Sequence, residues 1–437
     1  MKNFLLTLVF AFALQGFLFA QDEQDSAAAV LEEKLTEVKG SVDGINETVL
    51  EMKSVVDALK KIKISGYIQA QFQSAEIDGA NSAFQGGVFP SGMHNRFMVR
   101  RGRLKVMYDN DLSQYVLQID ATEKGLALKD AYIYVKDPWL KTFALKGGVF
   151  DRPFGFEISY SSSNREAPER SRLFQTLFPG ERDLGASLEI FPTVGLLSHF
   201  NFKGGLFVGN GINPEVDNQK DFIGRLGFTL PFYEENFAID GGVSGYVGKV
   251  KLLSGKYLYT LDSPTLAAKD STTNVGWADR TYIGFDMQIY YDLPILGGFS
   301  LRGEYITGKQ PGGPVSSVSP ASAVQQVNDI YLRNFSGYYL NYVQNLGDRN
   351  QLVVKYDVYD PNTSVSGEEI GSVSAAKLGP ADLKFSTWGF GLVHHWDDNV
   401  KFVLYYDLVE NETTSKITAY KEDLKDNVLT FRVQYKF

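Results

Sequence analysis

Apolar and polar residues alternate with a period of two in short runs from residue 63 to the C-terminus. The last run is the clearest, because every second residue is apolar: Leu429, Phe431, Val433, Tyr435 and Phe437. Successive side chains of a β-strand point to opposite faces, so such a run predicts a strand with one apolar and one polar face. Sixteen runs of this kind occur, at about residues 63–74, 96–108, 113–121, 128–136, 143–150, 183–191, 199–209, 220–230, 236–248, 280–292, 299–308, 334–345, 351–359, 386–396, 400–409 and 428–437.

The connections between these runs fall into two classes. Those after the even-numbered runs are short, whereas those after runs 1, 5, 9, 11, 13 and 15 are long and rich in Ser, Gly, Asn and Pro. Short turns on one rim and long loops on the other are typical of outer-membrane barrels. A soluble β-sandwich would need two buried faces. The pattern therefore predicts an all-β fold, a 16-stranded antiparallel transmembrane β-barrel over residues 63–437.

The N-terminus carries the features of a secretory signal peptide. Lys2 precedes an apolar segment from Phe4 to Leu14, and Ala20 stands before the polar sequence QDEQD. Residues 1–20 are therefore expected to be a signal peptide that is removed after Ala20. A membrane anchor is the alternative, but the apolar segment is short for a helix that spans a bilayer. A secretory signal peptide and a transmembrane β-barrel together predict that the protein is located in the outer membrane of a Gram-negative bacterium.

Residues 31–59 show a different period. Two glycines in this segment, Gly40 and Gly44, would each destabilise an isolated helix by roughly 1 kcal/mol, so a helix here needs contacts with partner chains. Apolar residues follow one another at alternating spacings of four and three, which is typical of a coiled coil; a helix lying on the barrel is the alternative. We expect residues 21–61 to form a short N-terminal α-helical coiled coil in the periplasm that joins three copies of the chain. The heptad residues are Leu31, Leu35, Val38, Val42, Ile45, Val49, Met52, Val56 and Leu59.

Composition argues against several classes of function. The chain has no cysteine, which excludes disulfides and thiolate metal sites, and its formal charge of −9 argues against nucleic acid as a partner. Its four histidines, His94, His199, His394 and His395, stand outside any hydrolase or zinc-protease motif. We expect no enzymatic activity and no cofactor. A hydrolase assembled across strands and a Ca²⁺ ion at a rim are the alternatives.

A loop of about thirty residues interrupts the alternation between the fifth and sixth runs. The chain leaves the strand at Pro153, and a strand resumes at Asp183. Loops of this length in a compact domain are usually functional, so we expect residues 152–182 to fold into the lumen and constrict it. Acidic residues balance the arginines of the loop, and each arginine could therefore anchor the loop or contact a solute. The five arginines are Arg152, Arg165, Arg170, Arg172 and Arg182.

Several motifs give this chain a resemblance to the phosphate-selective porin O and P family. They are RRGRL from Arg100, QID from Gln118, DAYI from Asp130, GGVFDRPFGFE from Gly147, ER at Glu169 and RDLG from Arg182. The resemblance implies a trimeric sixteen-stranded channel that passes phosphate or polyphosphate along basic side chains, with a constriction made by the third long loop. The terminal Phe437 is similar to the signal that the barrel-assembly machinery reads. Arg152 stands where the family commonly has Lys, which keeps the charge but changes the geometry.

The alternation also assigns charged residues to the lumen. Basic residues outnumber acidic ones on the predicted inward face, and charged rings near the narrowest point of a pore set its ion selectivity. For Arg101 and Arg103, an ion-pair network with Asp120 and Asp130 is the alternative to contact with a solute. The candidate residues of the constriction and the anion-binding path are Arg100, Arg101, Arg103, Lys105, Asp120, Lys146, Arg152, Arg165, Arg170, Arg172 and Arg182.

The sequence thus predicts a channel for passive diffusion of small anions, in contact with outer-membrane lipid. The homotrimer would form through residues 31–59 and the barrel walls. A general small-solute porin and a structural outer-membrane barrel with a closed pore are the alternatives.

Overall fold

The computed structural model describes residues 2–260, 267–270, 276–294, 296–319, 329–372 and 378–437. Side chains are described from residue 30 onward, apart from those of residues 267–270. The chain divides into two compact units, residues 1–62 and residues 63–437.

The first unit is dominated by one long helix, α1 (Lys2–Lys60). All nine heptad residues from Leu31 to Leu59 are exposed, so an apolar stripe runs along the described part of this helix. The predicted helix is confirmed, whereas its self-association stays a prediction. The side chains of the expected signal peptide, residues 1–20, lie outside the described residues. Within the described part, no helix combines the length and the apolarity that crossing a bilayer requires.

The second unit is a closed ring of sixteen long strands, which confirms the predicted barrel. Two further short strands, β10 (Tyr257–Thr260) and β11 (Ala267–Asp270), form a hairpin outside the ring. The ring consists of β1 (Ile62–Ala75), β2 (Asn95–Asn110), β3 (Ser113–Thr122), β4 (Gly125–Lys136), β5 (Phe143–Asp151), β6 (Arg182–Ile190), β7 (Phe200–Phe207), β8 (Asp221–Phe232), β9 (Phe237–Lys251), β12 (Trp277–Leu293), β13 (Gly297–Gly312), β14 (Ile330–Leu346), β15 (Asn350–Asp360), β16 (Phe385–His395), β17 (Val400–Asn411) and β18 (Val428–Lys436).

Antiparallel pairing closes the ring. β18 pairs with β1, with Arg432 opposite Gln71. β9 pairs directly with β12, so the β10–β11 hairpin is not part of the ring. The connections also contain a second helix, α2 (Arg172–Leu177). Single turns of 3₁₀ helix occur at Ala83–Gln85, Gly195–His199, Tyr233–Glu235, Gly367–Glu369, Pro380–Asp382 and Thr418–Tyr420.

Burial follows the predicted alternation. In β18, Leu429, Phe431 and Tyr435 are exposed on the outer face, while Arg432 and Gln434 are buried on the inner face. The exposed apolar band is the surface that a barrel needs towards lipid.

The expectation that the inward face is polar is wrong along part of the wall. Apolar side chains point inward there and pack against the long loop between β5 and β6, which shields them from water. We call these wall residues, together with the loop residues packed against them, the aromatic cluster; its buried members are Phe150, Phe154, Ile158, Leu173, Phe174, Leu177, Phe178, Phe207, Ile223, Tyr246, Tyr282, Ile306, Phe335, Tyr339 and Tyr359.

Candidate functional site

The lumen loop (residues 152–181) connects β5 to β6 through the interior of the barrel. Its contacts reach strands on nearly opposite sides of the ring. Gly155 N–H donates to Ser244 Oγ of β9 at 2.9 Å, and Arg432 of β18 donates to the carbonyl of Pro168 at 2.9 Å. The loop therefore crosses the lumen, and most of its side chains are buried.

One buried carboxylate holds the start of the loop. Pro153 turns the chain out of β5, because proline has no N–H for the ladder. Glu304 of β13 then accepts the N–H groups of Phe156 at 2.8 Å and of Glu157 at 2.6 Å. It also accepts the hydroxyl of Tyr339 at 2.7 Å. This contact fixes where the loop meets the wall.

The first face of the loop packs into the aromatic cluster. The ring of Phe174 lies 5.8 Å from that of Phe178 and 6.2 Å from that of Tyr339, measured between centroids. Phe178 also contacts the ring of Tyr282 edge-on at 5.8 Å. Such pairs add roughly 0.5–1.5 kcal/mol each to the gain from burial. Side chains consequently fill this part of the lumen.

The opposite face of the loop carries Glu169, which binds three guanidinium groups. Arg100 binds it through two nitrogens at 2.8 and 2.9 Å, Arg101 through one at 2.8 Å and Arg432 through one at 3.0 Å. We call these four residues the arginine cluster. Burial raises the pKa of Glu169, but the positive charges, led by Arg100, hold it well below its usual range. The carboxylate therefore stays ionised and ties the loop to β2 and β18.

Arg100 and Arg101 are consecutive residues of β2, and both reach into the lumen. Phe97 is 84 % exposed and Leu104 is 40 % exposed on the outer side. The two residues face the same side of the strand although they are an odd number of positions apart. The alternation of inward and outward side chains must therefore shift by one residue between them. The slip lets both Arg100 and Arg101 reach Glu169, which a regular strand would prevent.

Two other candidate residues form ion pairs with the wall. Arg103 Nε lies 3.4 Å from Asp120, and Arg152 Nε lies 3.0 Å from Asp183. For Arg103 this is the predicted alternative of a pair with Asp120. For Arg152, the pair joins the first residue of the loop to β6, so Arg152 serves as an anchor.

Arg170 of the loop and Arg182, the first residue of β6, share one acid, Glu181. Arg182 binds Asp130 at 3.0 Å and Glu181 at 2.7 Å. Arg170 also pairs with Glu181 and donates to the carbonyls of Glu157 at 2.8 Å and of Ile158 at 2.9 Å. The guanidinium of Arg170 thus organises the loop backbone.

The candidates Lys146 and Arg172 differ in their surroundings. Lys146 Nζ lies 3.6 Å from Asp151. Arg172 lies between two aromatic rings, 4.3 Å from the centroid of Phe84 and 3.8 Å from that of Phe385. The guanidinium of Arg172 therefore makes cation–π contacts and no ion pair with a described carboxylate, while its backbone N–H donates to Asp357 at 3.3 Å.

Arg165 differs from the other arginines of the loop. It is 5 % exposed, and no guanidinium nitrogen has a hydrogen-bond partner within the described part of the chain. Burial, followed by the charge of Arg170, lowers its pKa to about 10. The adjacent acids are engaged elsewhere, since Glu166 binds Arg302 at 3.0 and 3.1 Å and Glu169 belongs to the arginine cluster. Arg165 is thus a buried cation that pairs with no carboxylate among the described residues, which is strongly unfavourable.

A cavity of about 240 Å³ lies beside the loop, next to the ends of β1 and β18. We call it the basic cavity. Lys105 has no acidic partner within 4 Å among the residues described. Two acids, Asp130 and Asp151, also line this space, together with hydroxyl groups of the loop. Its basic side chains are Arg103, Lys105, Arg170, Arg182 and Lys436.

Charge is unevenly distributed around the lumen. The arginine cluster and the basic cavity lie along β18 and β1 to β6. On β9, β13 and β15, the inward acids Asp240, Glu304 and Asp357 have no basic side chain within 4 Å among the described residues. On one side of the loop, the basic side, lie the arginine cluster and the basic cavity. The other side holds the aromatic cluster and these three acids, together with the ion-paired Arg225, Arg302 and Lys355.

The alternation assigned Arg432 and Gln434 to the polar face of the last strand, but sequence reasoning did not single out the glutamines of β1 that meet them. Gln69 donates to Gln434 at 2.7 Å and to the carbonyl of Ser162 in the loop at 2.9 Å. Gln71 accepts from Arg432 at 2.9 Å. The signal was present, because Gln69, Gln71 and Gln73 stand at alternate positions in the second half of the first run.

Among the residues that the structure describes, no group of three or more His, Asp or Glu is arranged to hold a metal ion.

Comparisons with known proteins show the fold. No family model and no curated protein matches the sequence. The anion-selective porin from Comamonas acidovorans is similar in structure, with 11 % identity and a TM-score of 0.53 over 86 % of this chain and 99 % of that chain. Pseudomonas putida OprB, in a high-pH structure, is similar with 9 % identity and a TM-score of 0.56 over 87 % of this chain and 96 % of that chain. At such identities the likeness extends to the barrel alone.

Proposed function

We propose that this protein is an outer-membrane channel for passive diffusion of small anions, with phosphate or polyphosphate as its solutes. The lumen loop would be its constriction. A closed barrel satisfies its backbone hydrogen bonds within the sheet, so it can span a bilayer. The structurally similar Comamonas protein is an anion-selective porin, which supports the same class of solute.

The basic cavity is the observation that carries this proposal. It brings five basic side chains and two acidic ones to one space beside the loop. Low-dielectric walls focus the field of such charges on a passing ion. Its volume of about 240 Å³ leaves room for a small hydrated anion, because one water molecule takes up roughly 30 Å³.

The candidate residues take two roles in this proposal. Lys105 has no acid to neutralise it and would contact the ion directly. Arg103, Arg170 and Arg182 line the cavity but are also paired, so they would supply those donors that their carboxylates leave free. A guanidinium can bind two oxygens at once, which suits phosphate. Arg100, Arg101 and Lys146 would act through their charge.

Block of chloride current by phosphate tests the choice of solute. Chloride current through single channels in a planar bilayer is recorded while inorganic phosphate is added to one side. A phosphate site in the basic cavity predicts a saturable decrease of the chloride current. Current that is independent of phosphate would contradict phosphate as the solute while leaving a general anion channel in place.

A structural barrel with a closed pore is the second candidate, and the aromatic cluster favours it. That cluster fills part of the lumen with side chains. Single-channel conductance separates the two candidates, because a closed barrel gives no unitary current.

Assembly through the coil is a further part of the proposal. Several core positions of the heptads are β-branched, including Val38, Val42 and Ile45, and β-branched residues at both core positions favour trimers. Deletion of residues 22–61 should convert the detergent-extracted trimer to monomers on sizing. An unchanged trimer would exclude the coil as the assembly device.

The proposal also covers export and insertion. Residues 1–20 would be removed on secretion, which N-terminal sequencing of the mature protein checks. The assembly machinery would read Phe437, which pairs through its backbone with Gly66 at 3.0 Å. Phe437→Ala should lower the yield of inserted barrel, because it removes the aromatic side chain that the machinery would read but keeps the backbone pairing with Gly66.

A further inference from the structure

A second cavity lies inside the barrel, next to the strands that carry the aromatic cluster. Its volume is about 430 Å³, and small-molecule sites enclose roughly 300–1,000 Å³. The ends of β8, β9, β12, β13, β14 and β15 form its wall. At its mouth, Asp292 N–H donates to the carbonyl of Asn236 in the short turn after β8, at 3.1 Å, and both residues are exposed. We call this space the rim cavity, because it opens at the rim of the short turns.

The lumen loop forms the floor of the rim cavity. Glu166 of the loop lines it together with Arg302 and Val343 of the wall, and all three are buried. Beyond this floor, Glu304 holds the start of the loop and the aromatic cluster fills the space. Among the residues described, the rim cavity and the basic cavity have no lining residue in common. The rim cavity is therefore a separate recess in the wall.

The charges of the rim cavity differ from those of the basic cavity. Glu166 and Arg302 neutralise each other through two contacts at 3.0 and 3.1 Å. Asp292 has no basic side chain within 4 Å in the described part of the chain, and it stands in water, which weakens its attraction for a cation. An anion would be repelled by Asp292 and by Asp240 farther along β9. The rim cavity consequently suits an uncharged solute.

The other lining groups are amides and one inward-facing ring. Gln351 Nε2 donates to Asn345 Oδ1 at 3.0 Å, and Asn345 Nδ2 forms no hydrogen bond with any described residue. Amides donate and accept hydrogen bonds, as the hydroxyl groups of a polyol do. Tyr290 is half-buried on the inward face of β12, two positions from the buried Gln288. Its ring offers a flat apolar surface beside these polar groups.

We propose that the rim cavity binds a neutral sugar of monosaccharide size. The ring of Tyr290 packs against the C–H face of the sugar, and the amides of Asn345 and Gln351 exchange hydrogen bonds with its hydroxyl groups. This site lies apart from the basic cavity, so the inference goes beyond the proposed anion path and does not depend on it.

Saturation-transfer NMR on the full-length protein, in a detergent without a sugar head group, tests this inference. Glucose, glucosamine and glucuronate are titrated separately, because they share one ring size and differ in charge. Tyr290→Leu removes the ring from the cavity, and Gln351→Ala removes one amide. Tyr134→Leu is the matched control, since Tyr134 is also a half-buried tyrosine but lines a different cavity at the same rim.

Glucose should bind the wild type and Tyr134→Leu with the same dissociation constant. Tyr290→Leu should raise this constant about threefold to tenfold, because the contact with the ring is lost. Gln351→Ala should raise it about tenfold through the loss of hydrogen bonds, whereas Tyr290→Phe, which keeps the ring, should bind glucose as the wild type does. Glucuronate should bind more weakly than glucose, and glucosamine should bind no more tightly.

Equal affinity of glucose for the wild type, Tyr290→Leu and Gln351→Ala would overturn the inference, and so would the absence of saturation transfer to glucose in the wild type. Tighter binding of glucosamine or glucuronate than of glucose would overturn the assignment to a neutral solute. If Tyr290→Leu does not fold, the comparison of Gln351→Ala with the wild type decides. Ion selectivity is recorded separately, so the proposed anion channel can fail while sugar binding stands, and the reverse.

Discussion

The two sides of the lumen loop are held by different kinds of interaction. On one side, aromatic rings such as Phe174 and Phe178 are fully buried against the wall. On the other, Glu169 gathers three arginines and the basic cavity holds further cations. Apolar packing needs no charge balance, whereas ion pairing does. The aromatic side can therefore position the loop while the basic side keeps an excess of positive charge.

This difference separates stability from selectivity within one loop. A change on the aromatic side should alter how well the constriction is held, and a change on the basic side should alter which ions pass. The following substitutions test that separation, from the largest expected effect to the smallest.

Phe174→Ala should release the loop. Phe174 is 1 % exposed, and truncation of a buried Phe costs about 3–5 kcal/mol. We expect faster cleavage of the loop by protease and a larger single-channel conductance, with little change in ion preference. Phe97→Ala, on the outer face of β2, is the control. Unchanged conductance and cleavage would contradict the role of the aromatic cluster.

Glu169→Gln should affect both properties. The substitution leaves the buried Arg101 and Arg432 and the partly exposed Arg100 without their carboxylate, and breaking a buried ion pair costs about 3 kcal/mol or more. We expect partial loosening of the loop together with a stronger preference for anions, measured as a shift in reversal potential. An unchanged reversal potential would show that the arginine cluster does not face the ion path.

Lys105→Gln should change selectivity alone. One unit charge near the path contributes about 1 kcal/mol in water-like surroundings, which corresponds to a roughly fivefold fall in the permeability ratio of anions to cations. Because Lys105 has no acidic partner among the described residues, its loss leaves no unpaired carboxylate. Arg349→Gln removes one charge at a turn and should leave the ratio unchanged. Equal effects of both variants would exclude a specific role for Lys105.

Arg172→Lys should have the smallest effect. Arg172 is buried, where cation–π contacts such as those with Phe84 and Phe385 contribute about 2 kcal/mol. Lysine keeps the charge and therefore weakens these contacts without removing them. Loop cleavage should rise slightly, and the reversal potential should not move. A clear change of selectivity would place Arg172 on the ion path.

Much of the barrel could be predicted from the sequence, because strand alternation is a local property. The loop was recognisable from its length and from Pro153. The partners of its charges were not, since Glu169 and Arg432 are separated by 263 positions. The inward aromatic residues, such as Tyr246 and Tyr282, were also missed, because alternation alone does not reveal that a loop will cover that part of the wall.

The reversal potential of the wild-type channel in a tenfold KCl gradient tests the central claim most directly. The basic side of the lumen predicts a potential whose sign corresponds to chloride as the more permeant ion. A potential of the opposite sign, with potassium more permeant, would contradict the account.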